Sequence, residues 1–295
     1  MGRKINSSQM TYYIFSIPSI ILWLLFLCLP LILGFYYSMT DWNGISTQYN
    51  FVGLDNFARI LSDSRVRNSL MVTGVYTILE TGIITCLAII FALILNCTFL
   101  KCRTLIRAVF FFPAVLSMIT VGLIFSQIMS RPLPAIGEAL GIRWLSSNLL
   151  ASQSTALLGI VIIHVWHGTA VPTVMYMAGL QSVPSELLEA ARIDGAGPWQ
   201  RFIYIIFPFL VPVMKVSLLL LVKAGITQFD YIRVTTGGGP GHATETISTL
   251  IMEQAFGTSM KYGYAITEAL LLFIILIVVT IIQQLILGRK EVGQQ

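Results

Sequence analysis

The sequence predicts an all-α, polytopic membrane protein of about six transmembrane helices. Of its 295 residues, 56% are hydrophobic and only 11% are charged, with a mean hydropathy of +0.82; soluble domains carry roughly a quarter charged residues. Apolar runs long enough to cross a bilayer, about 20 residues each, recur at 12–37, 69–98, 105–129, 155–180, 207–228 and 264–287. Strand-rich soluble sequence is absent. A bundle of membrane helices is one unit, so length sets no domain count here.

The first run follows Arg3 and Lys4, as the core of a signal peptide would. It is too long for a cleaved signal, and no small-residue cleavage site closes it, so it is a retained first span. The membrane domain is therefore 12–288, between tails at 1–11 and 289–295. Pro18, Pro30, Pro113, Pro172 and Pro212 interrupt the runs, which membrane helices tolerate where neighbours satisfy the freed backbone. After the first span, Asp41-Trp42-Asn43-Gly44 reads as an interfacial Trp followed by a turn, and Leu54 to Leu61 as a short amphipathic helix. Glu80 and Glu268 are acidic residues within the second and last spans. Thr235 to Gly241 is a glycine-rich turn whose backbone can approach a partner closely.

Basic residues near span ends set the orientation. Arg3, Lys4, Lys101, Arg103, Arg107, Arg192, Arg201, Arg289 and Lys290 fall on the side of the termini; Arg59, Arg65, Arg67, Arg131, Arg143, Arg233 and Lys261 fall on the other. The densest signal is the short connection holding Lys101, Arg103 and Arg107. Both termini are predicted inside, and the loops at about 40–68, 130–154 and 229–262 outside. The net charge of +5 flanks the spans rather than forming a nucleic-acid patch. Cys28 and Cys86 lie inside apolar runs and Cys97 and Cys102 at the end of one, which points to packing rather than to disulfides or zinc.

The longest polar, helix-competent segment between two apolar runs is 182–208. Pro184 suits a first helical position, Ser182 or Ser185 can cap, and Glu186 and Glu189 sit near the positive end of the helix dipole. Gly195 and Gly197 supply unhindered backbone, and Pro198 forbids the same helix from continuing. A short surface helix, a sharp turn and a second short helix leading into the fifth span are expected.

Within this segment Glu189-Ala190-Ala191, Asp194-Gly195-Ala196, Phe202, Ile205 and Pro208 stand at a spacing that resembles the cytoplasmic EAA loop of ABC-importer permeases. The family's usual Leu before the final Pro is Phe207 here. Asp41-Trp42-Asn43, the run Phe51 to Phe57, Thr236-Gly237-Gly238-Gly239-Pro240 and Ala255-Phe256 are similar to stretches in carbohydrate permeases of the maltose and multiple-sugar type. The resemblance extends over most of the chain.

It implies the type I permease fold in a bacterial or archaeal cell membrane, and a subunit of a binding-protein-dependent importer for a sugar or oligosaccharide. The implied partners are a second, homologous or identical permease, a cytoplasmic ATPase dimer holding ATP and Mg, an extracellular solute-binding protein, the sugar and membrane lipids; nucleic acid is not among them. Glu189, Ala190, Ala191, Asp194, Gly195, Ile205 and Pro208 become the coupling residues, and Gly237, Gly238, Gly239 and Pro240 the loop facing the binding protein. No GxxxxGK[ST] occurs in the chain, so the nucleotide belongs to another polypeptide. No catalytic residue and no cofactor are assigned to this chain.

Polar residues within a bilayer mark a pathway or a buried pair. Lys223 in the fifth span is the sharpest case, with Thr227 and Gln228 beyond it; His164 and His167 share one face of the fourth span, beside Trp166. The family holds its sugar in the spans flanking the coupling loop, and these side chains combine hydrogen-bonding groups with an aromatic face. Two readings stand for the histidines: pathway, or bonds to a neighbouring helix. Two stand for Lys223: an ion pair with Glu80 or Glu268, or a contact to an acidic sugar or sugar phosphate. A metal site lacks evident further ligands. An ion-coupled secondary transporter is the alternative class, and no internal repeat supports it.

Overall fold

The computed structural model describes residues 7–97, 102–258 and 260–288, and it is helical throughout, with no strand among them beyond an isolated bridge between Thr40 and Phe51. Arg3, Lys4, Lys101, Arg289 and Lys290 lie outside the described residues. Among the described residues five helices are long and apolar enough to cross a membrane, and six when one bent pair counts as a single span.

The first span joins α1 (Ser7–Trp23) to α2 (Leu29–Ser38) through a π turn at Leu24–Cys28. The turn has a local cause. Pro30 lacks the N–H that would bond four residues back, and the helix widens just before it, Leu29 N donating to Leu24 O. The same device recurs before Pro208. There Phe202–Ile206 forms a π turn, with Phe207 N donating to Phe202 O.

Contacts divide the chain into two units, Met1–Asp63 with Ile251–Phe273, and Ser64–Leu250 with Ile274–Gln295. In the first, α3 (Asp55–Ser62) is the expected amphipathic helix, and Asn56 at its buried face donates to the carbonyls of Ser38 and Thr40, both at 2.8 Å. The start of α15 (Tyr262–Gly288) lies against the same stretch: Gly263 N donates to Trp42 O, and a Cβ on Gly263 would collide with Thr40 O. Trp42 stacks on Tyr37 with ring centroids 4.4 Å apart. Gly44, at φ +86°, makes the predicted turn.

In the second unit, α4 (Ser64–Asn96) packs along α9 (Ala170–Gln181) and α12 (Phe207–Ile226). Ala88 and Ala92 are fully buried there against Tyr176, Met177 and Leu210. Small residues at these positions let helix backbones approach closely, which is how membrane helices associate without a hydrophobic drive. A second cluster joins Tyr76 of α4 to Val121 and Met129 of α6 (Met118–Ser130), Ile160 and Ile163 of α8 (Ala156–Gly168), and Tyr231 and Ile232 of α13 (Asp230–Thr235).

Two expected spans are not straight helices. The run at 105–129 is broken: α5 (Arg103–Phe111) ends in a 3-10 turn at Phe112–Val115, Leu116 and Ser117 are extended, and α6 follows. Continuity of hydropathy hid the break, which Pro113 and the extended pair produce. The run at 155–180 is α8 and α9 with a 46° bend between them. Pro172 cannot donate to the carbonyl of Gly168, and the bend falls there.

Capping differs as well. Pro184 is itself the N-cap of α10 (Ser185–Ile193), without a side-chain cap, and Ser182 Oγ instead donates back to Gly179 O at the end of α9. Past α10 the chain turns and enters α11 (Pro198–Arg201), which runs through the π turn into α12; the fifth span thus begins at Pro198 rather than near 207. After α13, a loop leads to α14 (Ile247–Phe256).

Candidate functional site

The segment between α9 and α12 is defined by what it does not bury. None of the residues of α10 or α11 is buried, although Leu187, Ile193 and Trp199 are large and apolar, at 45%, 87% and 70% exposure. Glu189 and Ala190 are exposed, as are Asp194, Gly195 and Pro208, while Ala191 and Ile205 are half-buried. Gly195, at φ +76°, closes α10 in the left-handed conformation that favours glycine, with Ala196 N donating to Ala191 O at 2.9 Å. Gly197 is not left-handed; its N–H donates to Gln200 Oε1 at 2.8 Å, fixing the start of α11. The outcome is a helix and turn with no buried residue, joined to the fifth span through Ile205 and Pro208.

The six candidate pathway residues fall in three places. His164 and His167 point into the bundle and are buried. His167 Nε2 donates to Leu116 O at 3.2 Å, since a carbonyl can only accept, and Nδ1 accepts from Tyr231 Oη at 2.6 Å. The imidazole thereby satisfies the carbonyl exposed by the break between α5 and α6. His164 Nδ1 lies 2.7 Å from Tyr76 Oη and 3.5 Å from Glu80 Oε2. Both histidines are thus bonded to neighbouring elements. Trp166, on the opposite side of α8, is half-exposed; it sits against Phe125 and lines an apolar recess of about 690 Å³ with Phe91, Phe110 and Pro113.

Lys223, Ala224 and Thr227 form an exposed strip at the last turn of α12, whereas Gln228 is buried. Within its own unit Lys223 makes no ion pair among the described residues, and the pairing with Glu80 does not form. Glu80 is instead enclosed beside Gly225, where an added Cβ would lie 2.6 Å from its Oε1. The backbone of Gln228 is engaged at both ends, its N–H donating to Gly225 O at 3.2 Å and its carbonyl accepting from Thr246 Oγ1, while its buried side-chain Nε2 has no hydrogen-bond partner among the described residues.

The glycine-rich loop is built, not slack. Gly237, Gly238 and Gly241 have positive φ, as does His242 at +63°. Thr244 Oγ1 donates to Gly239 O at 2.7 Å and lies 2.8 Å from Thr236 Oγ1. Below the loop, Arg65 of α4 grips Glu245 with two bonds of 2.9 and 2.7 Å, and His242 Nδ1 lies 3.1 Å from Glu245 Oε2. Asn68 donates to His242 O at 3.0 Å. These anchors, and the tyrosines Tyr76 and Tyr231, were not among the residues singled out from sequence. Arg65 and Glu245 stand 180 positions apart, and no local pattern links them.

Residues 7–292 match the family described as the binding-protein-dependent transport system inner membrane component. The chain is 40% identical to the multiple sugar-binding transport system permease protein MsmF of Streptococcus mutans, over 94% of this chain and 95% of that one. It is 32% identical to the probable starch degradation products transport system permease protein AmyD of Thermoanaerobacterium thermosulfurigenes, over 98% of each. Among solved structures, a chain of a bacterial ABC transporter that imports the acidic polysaccharide alginate superposes with a TM-score of 0.79 at 20% identity, covering 96% of both chains.

Proposed function

The chain belongs to the family of inner membrane components of binding-protein-dependent transport systems and has the type I permease fold, and on that premise we propose that it is the permease subunit of an ATP-driven importer of a sugar or oligosaccharide. It forms half of the pathway with a second permease. The single observation that carries the coupling is the exposed surface of α10 and α11: an exposed carboxylate, Glu189, with exposed Leu187 and Ile193 on α10 and exposed Trp199 on α11, on two helices in which no residue is buried. Exposed apolar side chains at a rigid turn between two spans suit a groove on another protein. The partner is a cytoplasmic ATPase dimer that holds ATP and Mg, so this turn and both termini face inward, and this chain performs no covalent chemistry.

Mechanically, closure of the ATPase around α10 moves a rigid lever. Gly195 sets the turn, and α11, the π turn and α12 are one continuous helical rod, so displacement passes directly to the fifth span. The sugar class rests on the relatives' names. Pull-down of the membrane-extracted chain tests the coupling: a stably attached ATPase is expected, and Glu189→Ala should weaken that attachment while insertion stays normal. Uptake abolished by an ionophore yet indifferent to ATP would overturn it.

An acidic sugar or sugar phosphate is the second substrate reading, favoured by Lys223 standing exposed and without an ion pair beside Thr227 at the end of α12. Because its charge makes no ion pair among the described residues, Lys223→Met should leave thermal stability unchanged. Transport of an anionic substrate should fall about tenfold or more, as loss of a charge-assisted contact requires; unchanged uptake would leave the neutral sugar.

A further inference from the structure

The loop at 236–246 carries two features that belong together. Its tip is exposed backbone: Gly237, Gly241 and His242 are exposed, and the N–H groups of Gly241 and His242 donate to no carbonyl among the described residues. Its base is one of the most densely bonded parts of the chain. Glu245 is 5% exposed, yet its carboxylate meets both the Arg65 fork and the His242 ring, and Asn68 holds the His242 carbonyl. Thr246 Oγ1 donates to Gln228 O, and Ile247 N donates to Thr73 Oγ1 of α4, so the far side of the loop is fastened too.

A bidentate guanidinium–carboxylate pair constrains angle as well as distance. Glu245 sits three residues beyond His242, so a fixed carboxylate fixes the ring and, with Asn68, the backbone at His242. That backbone is left-handed and non-glycine, a conformation that other residues adopt only when surroundings dictate it. A recognition element that is already ordered loses less freedom when it is bound.

We propose that Arg65, Glu245, His242 and Asn68 form a clamp that presets the 237–242 tip, exposed at Gly237, Gly241 and His242, for the solute-binding protein, making them positioning residues for docking. This rests on the proposed function, in a family whose transport depends on a binding protein, and on Gly237 to Pro240 facing that protein, as the resemblance in sequence implies. The clamp acts on association with the loaded binding protein and not on the power stroke, so its loss separates the two.

The experiment uses the complete transporter in proteoliposomes, with ATP hydrolysis measured against increasing concentrations of its cognate loaded binding protein. Glu245→Gln and Arg65→Lys should each raise the half-saturating concentration about tenfold with the maximal rate kept within about twofold; Glu245→Asp should recover part of the loss. Asn68→Ala, at an exposed position, should give a smaller shift in the same direction and tests the clamp should the buried variants fold poorly. Hydrogen exchange of residues 237–245, measured without binding protein, should accelerate in the same variants. An unchanged half-saturating concentration, or a lost maximal rate at unchanged half-saturation, overturns the clamp. A cysteine cross-linker at exposed Arg67, next to Asn68, tests the underlying docking separately: absence of any adduct with the binding protein in the unmodified loop removes that premise, whereas an adduct alongside unaltered kinetics removes the clamp alone.

Discussion

The two ends of the helical rod from Pro198 to Ile226 solve opposite problems. At its 198 end the chain displays a helix and turn in which nothing is buried and three large apolar side chains face outward. At its 226 end the chain folds back on itself, burying Thr244, Glu245 and Thr246 and tying each to a partner. A segment that satisfies its own groups is complete without another molecule. One that leaves Ile193 and Trp199 exposed suits the protein partner that the proposed function gives it. Polar composition alone does not separate the two; the difference lies in where the apolar side chains go.

The sharpest way to break that contrast is at Gly195. Nothing lies within 4 Å of a Cβ built there, so the main penalty of Gly195→Val is the left-handed backbone, about 1–2 kcal/mol. Escaping it means re-aiming α10 relative to α11. Insertion and overall melting should be nearly unchanged, while ATPase co-purification and ATP-driven uptake should be abolished. Normal uptake in this variant would mean that the turn does not carry the coupling.

The opposite response is expected in the bundle, at His167. Replacing it by Leu removes the donor to Leu116 O and the acceptor of Tyr231 Oη, leaving two buried groups unmatched at about 1–3 kcal/mol each. Melting of the purified protein should drop by several degrees before any effect on ATPase attachment. A variant of normal stability but altered sugar selectivity would instead return His167 to the pathway.

This difference also explains what was legible in the sequence. The 182–208 segment was readable because its determinants are local: a proline before it, a left-handed glycine after it, and polar residues between apolar runs. Its helix, its turn and its exposure all follow from neighbours in the chain. The short helix over 55–62 was readable for the same reason. The histidines' surroundings were not, because Tyr76 and Tyr231 reach His164 and His167 from positions 88 and 64 residues away. The break at Leu116–Ser117 was masked by uninterrupted hydropathy, which reports burial in lipid and not helicity. Lys223 illustrates a third limit. A cation in an apolar run signals cost, but its neighbours across the helix, and hence the absence of an ion pair, depend on packing.

The smallest effect comes from a carboxylate that, unlike Glu245, stays in solvent. Asp41 accepts from Asn50 N at 2.6 Å and from Asn50 Nδ2 at 2.9 Å, and the backbone bond first, then the side-chain bond, hold its carboxyl below the ordinary value of 3.8. A folded-state value below the unfolded one means that the ionised group adds stability above the unfolded value, lost as pH falls through the folded value. The turn linking Asp41 to Asn50 should therefore stay intact at neutral pH and loosen only below about pH 4. Trp42 beside it reports this through its fluorescence once the other tryptophans are replaced by Phe. Asp41→Asn should abolish the acid transition with little change at pH 7, since exposed polar contacts of this kind contribute little. If the transition survives in Asp41→Asn, another group is titrating, and the turn is held by the stacking of Trp42 on Tyr37 rather than by charge.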